Sequence, residues 1–189
     1  MMHLSNIEHF FKSKSVALIG NAISQKQKKH GKLIESHDVI CRINRGPLLT
    51  PSKTHGNRTD ILFYGDPGHI IPDVVKKVNL HTPCIILFNK FSNRKHPLQN
   101  TIFVDSPTED YIKKSCGYAK PTMWPSCGLS AFFIITKSFP ASLSLFGFDW
   151  KDTPTFYRTD PGGDDRHNYT LEKEFMQGIV STQNNINIY

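Results

Sequence analysis

Short apolar runs closed by glycine, proline or polar residues recur along the chain, and segments of helical spacing lie between them. Ser15 to Gly20 (SVALIG) is apolar and stops at glycine, the pattern of a buried strand that ends at a sheet edge. Val39 to Asn44 (VICRIN), Asp60 to Tyr64 (DILFY) and Pro83 to Phe88 (PCIILF) are β-branched or aromatic runs bounded by turn residues, and each predicts a strand. Ser142 to Phe146 (SLSLF), closed by Gly147, predicts a central strand. Helical spacing predicts a helix over Ser5 to Lys14, where Ser5 and Glu8 have the spacing of a capping box. It predicts others over Ile71 to Leu80, Thr108 to Lys114 and Ser126 to Phe139, the last apolar over more than three turns and cut by Pro140. A final helix is predicted over His167 to Gly178, ending at its glycine.

This alternation argues for an α/β domain with a largely parallel sheet flanked by helices, its ligand site beyond the carboxyl ends of the strands. The chain has 189 residues, 38% of them apolar, which suits a single domain over residues 1–189. Asp149 to Arg166 is long and rich in Gly, Pro and Asp, and predicts a mobile loop or lid. No run reaches the ~18 apolar residues of a membrane span, and the opening stretch has no signal-peptide pattern. Cys41, Cys84, Cys116 and Cys127 lie far apart without a CxxC pair or zinc-type spacing, so free thiols in a reducing cytoplasm are the simplest account, with a disulfide left open.

The formal charge of +7 changes the picture only in part: such a surface attracts polyanions, anionic membranes or phosphorylated substrates without choosing among them. The run QKQKKHGK, Gln25 to Lys32, reads as a solvated helix face. No RNP-like, zinc-finger or KH-type motif is present, and a nucleic-acid partner is not expected.

Candidate chemistry begins where the first strand runs into Gly20-Asn21, a turn suited to close approach of a nucleotide. Neither GxGxxG nor GxxxxGK[ST] follows, which argues against a dinucleotide site or a P-loop. The longer stretch Val16 to Pro47 carries Gly20-Asn21, Gly31, Ile34-Glu35-Ser36-His37-Asp38, Arg42, Asn44 and Pro47, in an order and spacing that resemble the large sialylmotif of the eukaryotic-type sialyltransferases, family 29 of the glycosyltransferases. Gly56-Asn57-Arg58-Thr59 looks like its short continuation, and Pro125 to Trp150 is similar to the small sialylmotif. His167 and Glu172 satisfy the very short HxxxxE motif, and TFYR, Thr155 to Arg158, is a degraded counterpart of the aromatic motif.

The resemblance implies a Rossmann-like variant of the GT-A nucleotide-sugar fold, with CMP bound between the two long motifs. Asn21 and Asn44 would then hydrogen-bond phosphate and ribose. Ser126, Cys127 and Gly128 would offer the amino end of a helix to an anion, Gly147 and Phe148 would line the cytidine pocket, and Gly20 and Tyr157 would support it. His167 would remove the acceptor's hydroxyl proton, with Glu172 in support. Without the match, a helix cap or a solvated residue is the simpler reading of His167, and Phe148 and Trp150 read as core. The implied reaction is inverting and metal-free. It moves sialic acid, or a related ulosonic acid such as Kdo, from a CMP-sugar to a glycan or lipid-linked glycan, with Arg42 or Arg45 as candidate partners of the donor carboxylate. No cofactor is expected beyond that co-substrate.

Two departures matter. Val16 stands where the family has one bridge cysteine, and Lys137 to Ser142 lacks the other, which fits a short cytoplasmic catalytic domain of microbial or viral type, at most peripheral to an anionic membrane. The weakened aromatic motif keeps a rival open, a non-catalytic CMP or nucleotide-sugar binding module.

Overall fold

In a computed structural model, residues 7–65, 72–79, 81–87, 98–157 and 166–189 are described, and seven strands among them form one all-parallel sheet. The strands are β1 (Ser15–Ile19), β2 (Val39–Ile43), β3 (Ile61–Tyr64), β4 (Cys84–Ile86), β5 (Thr101–Phe103), β6 (Ser142–Phe146) and β7 (Ile186–Ile188). The helices are α1 (Gly31–Glu35), α2 (Ser52–His55), α3 (Pro72–Lys77), α4 (Ser106–Ser115), α5 (Cys127–Lys137) and α6 (Tyr169–Thr182).

Spatial order is β5-β4-β3-β2-β1-β6-β7, so the chain builds outward from β1 to one edge and then returns to β1's other side. Val16 therefore pairs with Val39 on one flank and Leu143 on the other. Where the winding reverses, between β1 and β6, the loops leave in opposite directions and open a crevice at the carboxyl ends.

The central strands are apolar throughout because parallel strands are covered on both faces. Leu18, Cys41, Phe63 and Leu145 pack on one side with α5, while Ala17, Ile19, Ile40 and Phe146 pack on the other with Ile34 of α1. Every residue of α5 from Cys127 to Ile135 is buried, as expected of a helix that is apolar all round.

Most predicted elements form, and four differences have physical causes. Ser5 lies outside the described residues, and of Ser5 to Lys14 only Glu8–Phe10 makes a 3-10 turn, which gives way to left-handed Ser13 (φ 58°). The run Gln25 to Lys32 is split between a 3-10 turn, Ile23–Gln27, and α1; its lysines are exposed, but Gln25 is buried. Helix α6 passes through Gly178 to Thr182, because that position is open to solvent and glycine there costs only its propensity, ~1 kcal/mol. Strands β5 and β7 are not predicted; each has a single buried residue and so no apolar run, unlike the equally short β4, which is buried throughout. The four cysteines are buried free thiols.

Candidate functional site

The carboxyl ends of β1, β2, β3 and β6 open into a cleft of about 650 Å³, within the usual range for small-molecule sites. Its base depends on close approach of two backbones. A Cβ at Gly20 would lie 2.3 Å from the Gly147 carbonyl oxygen, so only glycine lets the β1 and β6 ends meet. Gly20 N donates to Phe146 O at 2.7 Å and Ala22 N to Gly147 O at 3.3 Å. The Phe148 ring lies against both Gly20 and Gly128, joining the β1 turn to the start of α5.

Two asparagines flank this base with opposite free ends. Asn21 is buried, and its Nδ2 donates to Ile43 O at 3.2 Å, which fixes the amide and leaves Oδ1 without a partner. Asn44 has left-handed φ (47°), and its Oδ1 accepts from Gly65 N at 3.1 Å, so its Nδ2 is the group left to donate. The cleft residues Trp150 and Thr155 also bury a polar atom, Nε1 and Oγ1, without a partner. Orphaned buried polar atoms are rare, and a bound ligand is one way of satisfying them.

The amino end of α5 forms the adjoining wall. Ser126 is its N-cap, its Oγ accepting from Leu129 N at 3.2 Å. Ser126 is also held by buried Glu172: its N donates to Oε1 at 2.7 Å and its Oγ to Oε2 at 2.6 Å. The Ser126 amide is thus engaged, and the first-turn amides of Cys127 and Gly128 are the ones left for an anion. The Cys127 side chain faces away, its Sγ donating to Phe63 O at 3.6 Å, and burial raises its thiol well above the ordinary range.

His167 precedes α6 on the cleft wall, half-buried. Its Nδ1 lies 2.7 Å from Trp124 O, an acceptor only, so Nδ1 carries a proton and, in the neutral ring, Nε2 holds the lone pair. Trp124 N donates in return to Arg166 O at 2.8 Å. Asp149 to Tyr157 runs beside β1's exit: Ala22 and Thr155 form an antiparallel bridge, Phe156 N donates to Asn21 O at 3.0 Å, and Ser24 Oγ donates to Asp149 Oδ2 at 3.0 Å. Residues 158–165 of the predicted loop lie outside the described residues.

Eleven of the residues singled out from the sequence border this one cleft: Gly20, Asn21, Asn44, Ser126, Cys127, Gly128, Gly147, Phe148, Tyr157, His167 and Glu172. Arg45 borders it too, its guanidinium 5.2 Å from the centre of the Tyr157 ring. Arg42 requires correction as a carboxylate partner. It is buried in β2, donating Nε to Arg58 O at 3.0 Å and Nη2 to His55 O at 2.6 Å, and burial lowers its pKa to about 10. Sequence reasoning missed Trp124 and Tyr118, which reach His167 and Glu172 through a carbonyl and a hydroxyl that no pattern marks. Lys151 and Arg166 also line the cleft, with Arg45 and the carboxylates of Asp149 and Glu172. Among the described residues no helix is long and apolar enough to cross a membrane, and no three His, Cys, Asp or Glu side chains gather as a metal site.

Residues 6–77 match the sequence model of glycosyltransferase family 29 (sialyltransferase). The type 2 lactosamine alpha-2,3-sialyltransferase of Rattus norvegicus is 36% identical over 76 residues, covering 37% of this chain and 23% of that protein. The Homo sapiens protein of the same name is 39% identical over 66 residues, 32% and 20% of the two chains. These matches thus span about a fifth of the relatives' length. Among solved structures, a mammalian sialyltransferase in complex with Gal-beta-1-3GalNAc-ortho-nitrophenol superimposes with TM-score 0.71 at 15% identity, over 96% of this chain and 71% of that one. CstII of Campylobacter jejuni, in complex with cytidine-5'-monophosphate, gives TM-score 0.60 at 12% identity, over 94% and 79%. At such identities the structural likeness is one of fold.

Proposed function

Starting from a likeness to the family 29 sialyltransferases that sequence and fold share, we propose that this chain transfers sialic acid, or a related ulosonic acid such as Kdo, from a CMP-sugar to a glycan hydroxyl. The fold is read as a Rossmann-like GT-A variant, on the strength of its parallel sheet and the winding reversal at β1. The observation that carries the reading is His167, whose Nδ1 is held by Trp124 O, on the wall of the cleft that the first turn of α5 also lines.

In this mechanism the acceptor oxygen attacks the donor's anomeric carbon directly, the bond to the phosphate oxygen breaks, and CMP departs with inversion. The hydroxyl proton passes to His167 Nε2. The amides of Cys127 and Gly128 face the charge that grows on the departing phosphate. The asparagines divide the nucleotide by chemistry: Asn44 Nδ2, a donor, suits a phosphate oxygen, and Asn21 Oδ1, an acceptor, suits a ribose hydroxyl. Arg45 is the candidate partner of the donor carboxylate. No metal ion is assigned a step, since the phosphate already has donors on the protein. A reducing, cytoplasmic setting belongs to the same reading, supported by Val16 at the bridge position and by four buried free thiols. Exposed Lys26, Lys28, Lys29 and Lys32 would draw the chain toward anionic acceptors, lipid-linked glycans at a bilayer included.

The test is CMP release from a panel of CMP-sugars with glycan acceptors. Turnover is expected with a CMP-ulosonic acid, and His167→Ala is expected to keep CMP affinity while losing ~10²–10⁴-fold in rate. CMP binding without turnover on any donor would favour a binding module, and wild-type transfer by His167→Ala would remove His167 from the mechanism.

A further inference from the structure

The buried side chain of Tyr118 occupies a position that none of the sequence motifs covers. Helix α4 ends in a Schellman turn: Gly117, at φ 77°, donates N–H to Lys114 O at 3.1 Å, and Tyr118 N donates to Lys113 O at 3.0 Å. The reversal turns Tyr118 inward, leaving it 7% exposed. Its hydroxyl donates to Glu172 Oε1 at 2.6 Å and accepts from Asn168 N at 3.2 Å.

These two bonds join both halves of the site. Asn168 is the N-cap of α6, its Oδ1 accepting from Leu171 N at 3.1 Å, and it directly follows His167. Its own backbone N–H, which an N3 glutamate accepts in a capping box, goes here to the Tyr118 hydroxyl. Glu172 in turn grips Ser126, the N-cap of α5. A continuous chain of hydrogen bonds therefore runs from the backbone beside His167, through Tyr118 and Glu172, to Ser126, the cap that precedes the amides that would face phosphate. Burial and the Glu172 carboxylate both raise the Tyr118 pKa, so the phenol stays protonated and can donate throughout the working pH range.

We infer that Tyr118 is a positioning residue for His167, setting the imidazole against the α5 amides without touching substrate. This rests on the reading of His167 as the base. Tyr118→Phe keeps the ring and removes only the hydroxyl. It takes the partner from the Asn168 amide and one of the two bonds that Glu172 Oε1 accepts, while leaving the Ser126 bonds in place.

The experiment combines kinetics with ¹⁵N NMR of the His167 ring on the full chain. Tyr118→Phe is expected to unfold cooperatively, to bind CMP within about twofold of wild type, and to lose on the order of 10- to 100-fold in kcat, the scale of a misplaced catalytic group. Its His167 ring signals are expected to move from the Nδ1–H tautomer toward a tautomer mixture. A folded variant with unchanged kcat and unchanged ring signals overturns the inference, as does a proportional loss of kcat and CMP affinity with unchanged ring signals. If wild type turns over no CMP-sugar but the ring signals still move, the positioning stands and the enzymatic reading falls. Should Tyr118→Phe fail to fold, hydrogen exchange on wild type decides: a protected Asn168 amide supports the assignment, and rapid exchange there overturns it.

Discussion

Replacing Gly20 by alanine tests whether the cleft depends on contact between the β1 and β6 backbones. The new Cβ would sit 2.3 Å from Gly147 O, 2.9 Å from Gly147 C and 3.1 Å from Phe148 Cδ2, whereas ordinary contact begins at 3.4 Å. The obstruction is backbone, so the strand ends must part by about 1 Å, enough to take the bonds from Gly20 N to Phe146 O and from Ala22 N to Gly147 O past useful length. Two lost bonds at ~1 kcal/mol each and ~1–3 kcal/mol of overpacking give a destabilisation of roughly 3–5 kcal/mol. For a chain of this size that lowers Tm by roughly 6–20 °C. Urea and thermal unfolding followed by circular dichroism measure the loss, and calorimetry measures CMP affinity, expected to weaken by about tenfold or more as the cleft base shifts. Gly178→Ala is the control: its Cβ meets nothing within 4 Å, and a gain of roughly 0.5–1 kcal/mol is expected. If Gly20→Ala unfolds at the wild-type midpoint and binds CMP equally well, the close approach carries neither stability nor the site.

Three further outcomes follow from side chains. Glu172→Gln turns an acceptor that faces Tyr118 and Ser126 into a mixed donor and acceptor, and should cost ~2–3 kcal/mol in urea unfolding, the value of about one charge-assisted bond; a loss under ~0.5 kcal/mol would contradict the network. Buried His55 is pushed down to about 4, by desolvation first, with the Arg42 and Lys26 charges adding to it. The unfolded chain, titrating near 6.5, binds the extra proton, so this contribution is present above pH 6.5 and lost as pH falls toward 4; the urea midpoint should fall over that window, less steeply in His55→Gln, and an identical slope in the two proteins would refute it. Burial raises the Cys84 and Cys116 thiols to about 12 and Cys41 and Cys127 upward as well, so a disulfide reagent at pH 8 should label none of the four in the native protein and all of them in denaturant; fast native labelling of any one would show its pocket is open.

How far the sequence carries is clearest at particular residues. The apolar runs of β1, β2, β3 and β6 are legible because parallel strands are covered on both faces, and α5 because an all-apolar segment has nowhere to go but the core. Gly20, Asn21 and Ser126 stand at element ends, where turn and cap chemistry marks them. Arg42 shows the reverse. On a strand its charge suggests a ligand, and only the fold reveals that the carbonyls of His55 and Arg58 meet it inside. Glycine is equally ambiguous: Gly117 ends α4 while Gly178 is passed through, because what decides is the tertiary surrounding of each position. Tyr118 and Trp124 act through one hydroxyl and one carbonyl across distant segments, and no local period encodes such a contact.

The pairing of Ser15 with Ser142 has a kinetic corollary. The residues that match the family model, 6–77, precede β6 in the chain, yet the cleft they help to line lacks a wall until β6 has been added. One flank of β1 therefore stays uncovered until β6 docks, and such non-local closure is slow and leaves apolar edges open to misassociation. Nucleotide present during refolding would then speed recovery of the native state only after β6 has docked, which makes the last central strand, rather than the most recognisable sequence, the step at which this chain acquires a binding site.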